Sequence, residues 1–231
     1  MKQPLAALAI AFALPWTAHA DLAFNASAVS DYRYRGISQT RLRPALQAGV
    51  DYSHESGLYA GAWASTLRWV RDGGGDGRAE LDLYAGFKGA WSDGWGYDLG
   101  VLRYQYPRNH LPVSANTTEL YAALSQGPFT LKYSRSTTPL FGTADSRGSG
   151  YLDASASFDW EGLTIAPHVG RQTVARNGAL SYTDYSLTLS KTVQGVVLSA
   201  AWVGTSTRAY RGPAQQNLGK SGLVIGAKLN F

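Results

Sequence analysis

Hydrophobic and polar residues alternate with a period of two along most of this chain of 231 residues. The stretch 222–231 shows the pattern clearly, since Leu223 and Ile225 fall on one side and Lys228 and Asn230 on the other. Such alternation is typical of a β-strand with one apolar face. Eleven earlier segments show the same alternation: 22–35, 44–53, 58–66, 79–88, 95–106, 118–125, 129–136, 151–160, 163–172, 183–191 and 196–204. In one of them, 58–66, neither face is clearly polar. The pattern therefore predicts about twelve strands.

The connections between these segments alternate between short and long. The short ones carry Gly, Asp and Ser, as hairpin turns do, and are 54–57, 92–94, 126–128, 161–162 and 193–195. The long polar ones are 36–43, 67–78, 107–117, 137–150, 173–182 and 205–221. Short turns at one end and long loops at the other are typical of bacterial outer-membrane barrels, which have an even number of strands.

We therefore predict an all-β fold, a single closed antiparallel transmembrane β-barrel of about 12 strands that occupies residues 21–231. Its short turns would be periplasmic and its long loops extracellular. The predicted hairpins recur about every 35 residues. A propeller has repeats of similar length, so a propeller or a sandwich is the alternative fold. The barrel is favoured because the inner strands of a propeller bury both faces, whereas these strands keep one polar face.

The first twenty residues have the features of a signal peptide. Lys2 supplies the positive charge, an apolar run covers 5–14, and Ala18-His19-Ala20 has the small-x-small form of a cleavage site. The apolar run is too short to cross a bilayer. We predict cleavage after Ala20 and export to the outer membrane of a Gram-negative cell envelope.

Aromatic residues lie near the predicted strand ends, where the membrane interfaces would be. At the short-turn end these are Trp91, Trp95, Trp160 and the final Phe231. At the long-loop end they are Tyr32, Tyr34, Tyr133, Tyr151, Tyr182 and Trp202. We expect two belts of aromatic rings that face the lipid.

Composition narrows the possible functions. The chain has no cysteine, which excludes disulfides, thiolate metal sites and a cysteine nucleophile. A formal charge of +5 without a run of Lys or Arg gives no reason to expect nucleic-acid binding. No histidine or carboxylate cluster has the spacing of a metal site, so we assign no catalytic residue, cofactor or metal ligand.

The stretch SDYRYRGISQT at 30–40, followed by 44–65, resembles the family of outer-membrane porins labelled TorF or Gcw_chp. The likeness extends to AELDLYAGFKG at 79–89 and to 118–134, so it covers most of the chain after residue 20. The opening stretch is its specific part, because the rest is common to barrel hairpins. The resemblance implies an outer-membrane barrel with a pore. It supplies no substrate and no catalytic motif.

The predicted inner face of the barrel carries charges of both signs. The expected pore-lining residues are Asp31, Arg33, Arg35, Asp51, Glu80, Asp82, Tyr84, Lys88, Asp98, Glu119, Tyr121, Lys132, Asp153, Asp159, His168, Asp184 and Lys228. A charge in a membrane-spanning wall is costly unless it faces water or a partner. These residues would therefore either line a hydrated pore or brace a filled interior, and twelve strands are compatible with both. Arg33 and Arg35 would steer anionic solutes at the mouth or pair with Asp51 and Glu80.

We favour a porin-like channel for passive diffusion of small polar or charged solutes. The alternative is a non-conducting structural or adhesive barrel that acts through its extracellular loops. A barrel-type hydrolase comes third, with His168 near Asp153, Ser155 or Ser186.

The long loops are basic. They contain Arg41, Arg43, Arg68, Arg71, Arg78, Arg108, Arg147, Arg176, Arg208, Arg211 and Lys220 against Asp72, Asp76 and Asp145. These residues would contact the phosphates of lipopolysaccharide and other outer-membrane lipid, or they would form a funnel for anionic solutes.

Overall fold

The computed structural model describes residues 21–231, so the predicted signal peptide lies outside the described residues. The strands are β1 Asp21–Val29, β2 Arg33–Tyr34, β3 Ile37–Ser38, β4 Ala45–Ser53, β5 Leu58–Thr66, β6 Ala79–Ala90, β7 Trp95–Gln105, β8 Thr117–Gln126, β9 Phe129–Ser136, β10 Gly150–Ala156, β11 Phe158–Trp160, β12 Leu163–Thr173, β13 Tyr182–Val193, β14 Val196–Thr205 and β15 Gly222–Asn230. One short helix, α1, covers Trp69–Asp72, and single 3₁₀ turns cover Ser92–Gly94 and Gly178–Leu180. Within this part of the chain, no helix has both the length and the apolar character needed to cross a membrane.

Neighbouring strands pair antiparallel around a closed barrel. The first and last strands join directly, with Ala26 opposite Leu229, and Phe24 and Phe231 exchange backbone hydrogen bonds of 2.8 and 3.0 Å. Strands β10 and β11 both pair with β12 and form one interrupted wall strand, so the wall has twelve strands. The predicted fold class is confirmed: a closed antiparallel barrel with short turns at one end and long loops at the other. We call these the turn end and the loop end.

The wall has two distinct faces because side chains alternate along each strand. Large apolar residues such as Leu223 and Ile225 point outward and are exposed. Several inward tyrosines instead lie flat on glycines of the adjacent strand. Tyr121 lies over Gly100, its direct cross-strand partner, and a Cβ at that glycine would collide with the phenol ring.

The first strand is shorter than predicted. It ends at Val29 instead of Arg35, and residues 30–43 fold into the barrel as the inserted segment, which contains the β2–β3 hairpin. The hairpin turns at Arg35 and Gly36, both with positive φ, and Gly36 packs against Thr205 and Asp184 of the wall. The prediction was wrong here because the hairpin continues the alternation of β1.

The aromatic residues at the turn end face outward as expected, with Trp91, Trp160 and Phe231 all strongly exposed. At the loop end, only Tyr133 and Trp202 of the predicted belt do so.

The other loop-end aromatics lie inside the barrel, so the predicted lipid-facing position was wrong for them. Tyr32, Tyr151 and Tyr182 are buried, and Tyr34 is half-buried in the inserted segment. The reason is register, since Tyr151 shares the inward parity of Asp153 two residues later.

Candidate functional site

The barrel interior brings together most of the residues predicted to line a pore, and it divides into two halves. In the loop-end half, the inserted segment meets inward side chains of the wall, and its ionisable residues are Asp31, Arg33, Arg35, Glu80, Asp82, Glu119, Asp153, His168 and Asp184. The turn-end half contains Asp51, Tyr59, Tyr84, Lys88, Asp98, Tyr121, Lys132 and Lys228, which are half-buried.

Arg33 fastens the inserted segment to the last long loop. Its Nε lies 2.5 Å from Oδ2 of Asp31. Its Nη1 donates to the backbone carbonyls of Gly36, Leu218 and Lys220 at 2.9, 3.1 and 3.0 Å. One buried guanidinium therefore holds the hairpin to a loop that lies 185 and 187 residues away in the sequence.

Arg35 lies inside the barrel against one side of the wall, where its partners come from β8, β10 and β12. Its Nη1 and Nη2 donate to the two carboxylate oxygens of Glu119 on β8 at 3.0 and 2.6 Å, and Nη1 also donates to Gln172 on β12 at 2.7 Å. The guanidinium stacks 4.0 Å above the Tyr151 ring. Desolvation alone would lower the pKa of Arg35, but the facing Glu119 carboxylate outweighs it and raises that pKa well above its usual value. Arg35 therefore stays charged and links three elements.

A second group of acids lies beside this bridge. Glu80 is 1% exposed and accepts hydrogen bonds from the hydroxyls of Tyr32 and Tyr106 at 3.1 and 3.0 Å. Asp82, two residues along β6, has a buried Oδ1 without a hydrogen-bond partner among residues 21–231. This part of the interior is acidic and tightly packed.

His168 sits between two carboxylates. Its Nε2 lies 2.7 Å from Oδ2 of Asp153, and its Nδ1 lies 3.7 Å from Oδ1 of Asp184. Ser155 and Ser186 are its cross-strand neighbours, yet neither serine hydroxyl bonds to it in the described part of the chain. The hydroxyl–imidazole contact of a serine hydrolase is therefore not formed here.

The turn-end half is organised around tyrosine hydroxyls. Tyr59 donates to Asp98 at 2.5 Å and also bonds to the hydroxyl of Tyr121. The ammonium group of Lys132 lies 3.8 Å from the centre of the Tyr121 ring, a cation–π contact. On the other side, Tyr84 donates to Asp51. These groups lie on the inner face of the wall.

The charge balance differs between the halves. The loop-end half has six carboxylates (Asp31, Glu80, Asp82, Glu119, Asp153 and Asp184) against the guanidinium groups of Arg33 and Arg35. The turn-end half has three lysines (Lys88, Lys132 and Lys228) against Asp51 and Asp98. Asp159 lies apart, since it is exposed at the turn end and its Oδ1 accepts from the backbone N–H of Gly162 at 3.3 Å.

Several interior residues were not anticipated from the sequence. Tyr59 lies on the segment whose two faces both looked apolar, and its phenol is what makes one of them polar. Tyr104 shares the inward parity of Asp98 on β7, which would have identified it. Gln172 likewise shares the parity of His168 on β12.

Comparisons with known proteins agree with this architecture. The model of a family described as "Bacterial protein of unknown function (Gcw_chp)" matches residues 15–231. That match carries the label Gcw_chp, and the label TorF stays a prediction. No curated protein matches the chain significantly.

Two solved porin structures resemble the barrel. The KdgM porin superposes with a TM-score of 0.61 at 8% sequence identity, over 90% of this chain and 99% of the porin. The NanC porin superposes with a TM-score of 0.58 at 11% identity, again over 90% of this chain and 99% of the porin. At such low identity the likeness establishes a shared fold.

Proposed function

The chain belongs to the Gcw_chp family, and from this membership and the charged barrel interior we propose that it is a narrow outer-membrane channel for passive diffusion of small polar or charged solutes. The observation that carries the proposal is the turn-end half. Lysines, aspartates and tyrosine hydroxyls line its wall, and their side chains are half-buried. Ionisable groups at membrane depth are tolerated where they face water, and a hydrated lumen supplies that water.

The outer face supports the membrane placement. Leucines, valines and isoleucines cover it, and exposed tryptophans lie near the turn end, as in the aromatic girdles of outer-membrane barrels. In this placement the turn end is periplasmic and the loop end extracellular. The signal peptide would direct export and would be removed by cleavage after Ala20.

The inserted segment would set the size of the passage. It places Arg35 inside the barrel in contact with Glu119 and Gln172, so we expect little space for a solute at this level. The fold of the KdgM and NanC porins is compatible with a channel of this kind. The proposal therefore limits the solutes to small ones and leaves their identity open.

Single-channel recording tests the proposal. The purified protein is incorporated into a planar bilayer, and its conductance and its reversal potential under a salt gradient are measured. We expect discrete conductance steps from protein whose β-sheet content shows that it is folded. Folded, inserted protein that never conducts would contradict the channel.

One observation favours a second candidate, a non-conducting barrel that acts through its extracellular loops. The loop-end half is packed with paired, buried charges, which a purely structural barrel would also need. Such a barrel would show no conductance and would bind a surface partner only while its long loops are intact.

A further inference from the structure

A groove rich in arginine lies outside the barrel wall at the loop end. It encloses about 450 Å³ and is lined by three arginines, Arg135, Arg147 and Arg176, together with Leu120 and Gly148 and two polar neighbours. All three arginines are exposed. They come from β9 and from two different long loops, so the fold alone brings them together.

The wall and the loops hold this arrangement in place. Arg135 points outward from β9, directly opposite Leu120 of β8, and its guanidinium passes close to Gly148. Nη1 of Arg176 donates to the backbone carbonyl of Asp145 at 3.0 Å, which ties the loop 174–181 to the loop 137–149. Two further hydrogen bonds connect the same loops, from Asn177 Nδ2 to the carbonyl of Ala144 at 2.9 Å and from the N–H of Ala175 to Ser149 Oγ at 3.0 Å.

The positive charge of the groove is not neutralised by the protein. Among the residues that the structure describes, no carboxylate lies within ion-pair distance of Arg135, Arg147 or Arg176. Arg41 provides the contrast, because it pairs with Asp72 at the same end of the barrel. Three guanidinium groups around one groove repel each other, and an anion would relieve that repulsion.

Phosphate fits these donors best. A guanidinium presents a planar fork of N–H groups that matches two oxygens of a phosphate, and several such forks can bind one phosphate monoester or diester.

The surface next to the groove is apolar and faces the membrane. Leu120 is 55% exposed on β8, and Tyr133 and Leu152, on the adjoining strands, are exposed on the same outer face. A ligand that fills the groove and continues along this wall must be amphiphilic, with an anionic head and hydrocarbon chains. A soluble anion that enters the lumen would gain nothing from contact with this apolar outer wall.

We propose that the groove binds the phosphorylated headgroup of an outer-leaflet glycolipid, the chemistry of lipopolysaccharide, with its acyl chains against Leu120 and Leu152. Arg135 would bind the phosphate from the wall, and Arg147 and Arg176 from the loops above. The inference shares only the outer-membrane placement with the proposed channel. The binding assay below needs no conductance, so the two proposals fail separately.

The test is native mass spectrometry of the purified protein in detergent with diphosphorylated lipid A. The variant Arg135→Gln/Arg147→Gln/Arg176→Gln removes the groove charges. The matched control, Arg43→Gln/Arg68→Gln/Arg208→Gln, removes the same charge from exposed arginines of other loops at the same end. We expect the groove variant to lose affinity about 30-fold or more and the control less than about threefold, because charge-assisted hydrogen bonds are lost only in the first.

Two further arms identify the ligand chemistry. Lipid A from which both phosphates have been removed should bind the native protein as weakly as intact lipid A binds the groove variant. Inorganic phosphate should not displace lipid A at concentrations below the millimolar range. Equal losses in both variants, equal binding of dephosphorylated lipid A, or displacement by micromolar phosphate would each overturn the proposal. A single Arg147→Gln variant, read in the same assay, keeps the test valid if the triple variant does not fold.

Discussion

Charged side chains in the loop-end half are buried and pair with one another, whereas those in the turn-end half line the wall and stay half-buried. Glu119 and Arg35 illustrate the first arrangement, since both side chains are almost completely shielded and joined by two hydrogen bonds. Lys132 and Asp98 illustrate the second, with their charges beside tyrosines of the wall. Both sets of charged side chains are bordered by antiparallel strands of the same barrel wall.

The inserted segment accounts for the difference. The buried charged residues of the wall in the loop-end half are all carboxylates, and the segment supplies Arg33 and Arg35 to that region. At the turn end, the connections within residues 21–231 are tight turns. We therefore expect a loop, and not the wall, to form the narrow part of the proposed channel, so loop and wall can be altered separately.

The largest expected effect is the loss of stability when the buried bridge is broken. Arg35→Met leaves Glu119 buried without its cation, which should lower the free energy of unfolding by about 3–5 kcal/mol. Arg41→Met breaks the more exposed pair with Asp72 and should cost about 1 kcal/mol or less. Urea titration of the protein in lipid vesicles measures both values. If Arg35→Met proved no more costly than Arg41→Met, the loop-end half would not depend on this bridge.

The next effect concerns the size of the passage. Val29 and Ala45 are paired at the ends of β1 and β4, so a short hairpin turn can replace residues 30–44. We expect the single-channel conductance to rise by about twofold or more, because the segment that fills this part of the barrel is removed. The change is made together with Glu119→Gln, so that no buried carboxylate is left without its guanidinium.

The matched control for this shortening is Glu119→Gln with the inserted segment intact. Its conductance should stay near that of the native protein. An unchanged conductance in the shortened barrel would mean that the wall itself sets the constriction, which would remove the distinction between the two halves.

The sequence predicted the wall well and the interior less well, for a physical reason. Alternation shows which residues of a strand face inward and turn residues mark where it begins, so the bounds of β9 were predicted to the residue. Alternation does not show where a strand leaves the wall, because Asp31 and Arg33 keep the same period inside the hairpin.

The spacing of residues along the sequence also does not show which interior side chains contact one another. Arg35 was expected to act at the mouth or to pair with Asp51 or Glu80, and the structure joins it to Glu119, 84 residues away, and to Gln172. Such contacts depend on how the closed barrel and its loops fold together. The arginine groove was missed for the same reason. Arg147 and Arg176 come close to Arg135 of β9 only when their loops fold against the wall.

The smallest expected effect is on ion selectivity, and its measurement tests the turn-end half alone. Lys132→Gln removes one positive charge that faces the lumen, so the reversal potential under a tenfold salt gradient should shift by about 5–15 mV toward cation selectivity. The control is Lys191→Gln, which removes the same charge from the outer face at the turn end and should leave the reversal potential unchanged. The loss of this charge changes the reversal potential only if ions pass close to Lys132. Equal shifts from both substitutions would therefore show that selectivity follows the net charge of the protein and not the lining of this half.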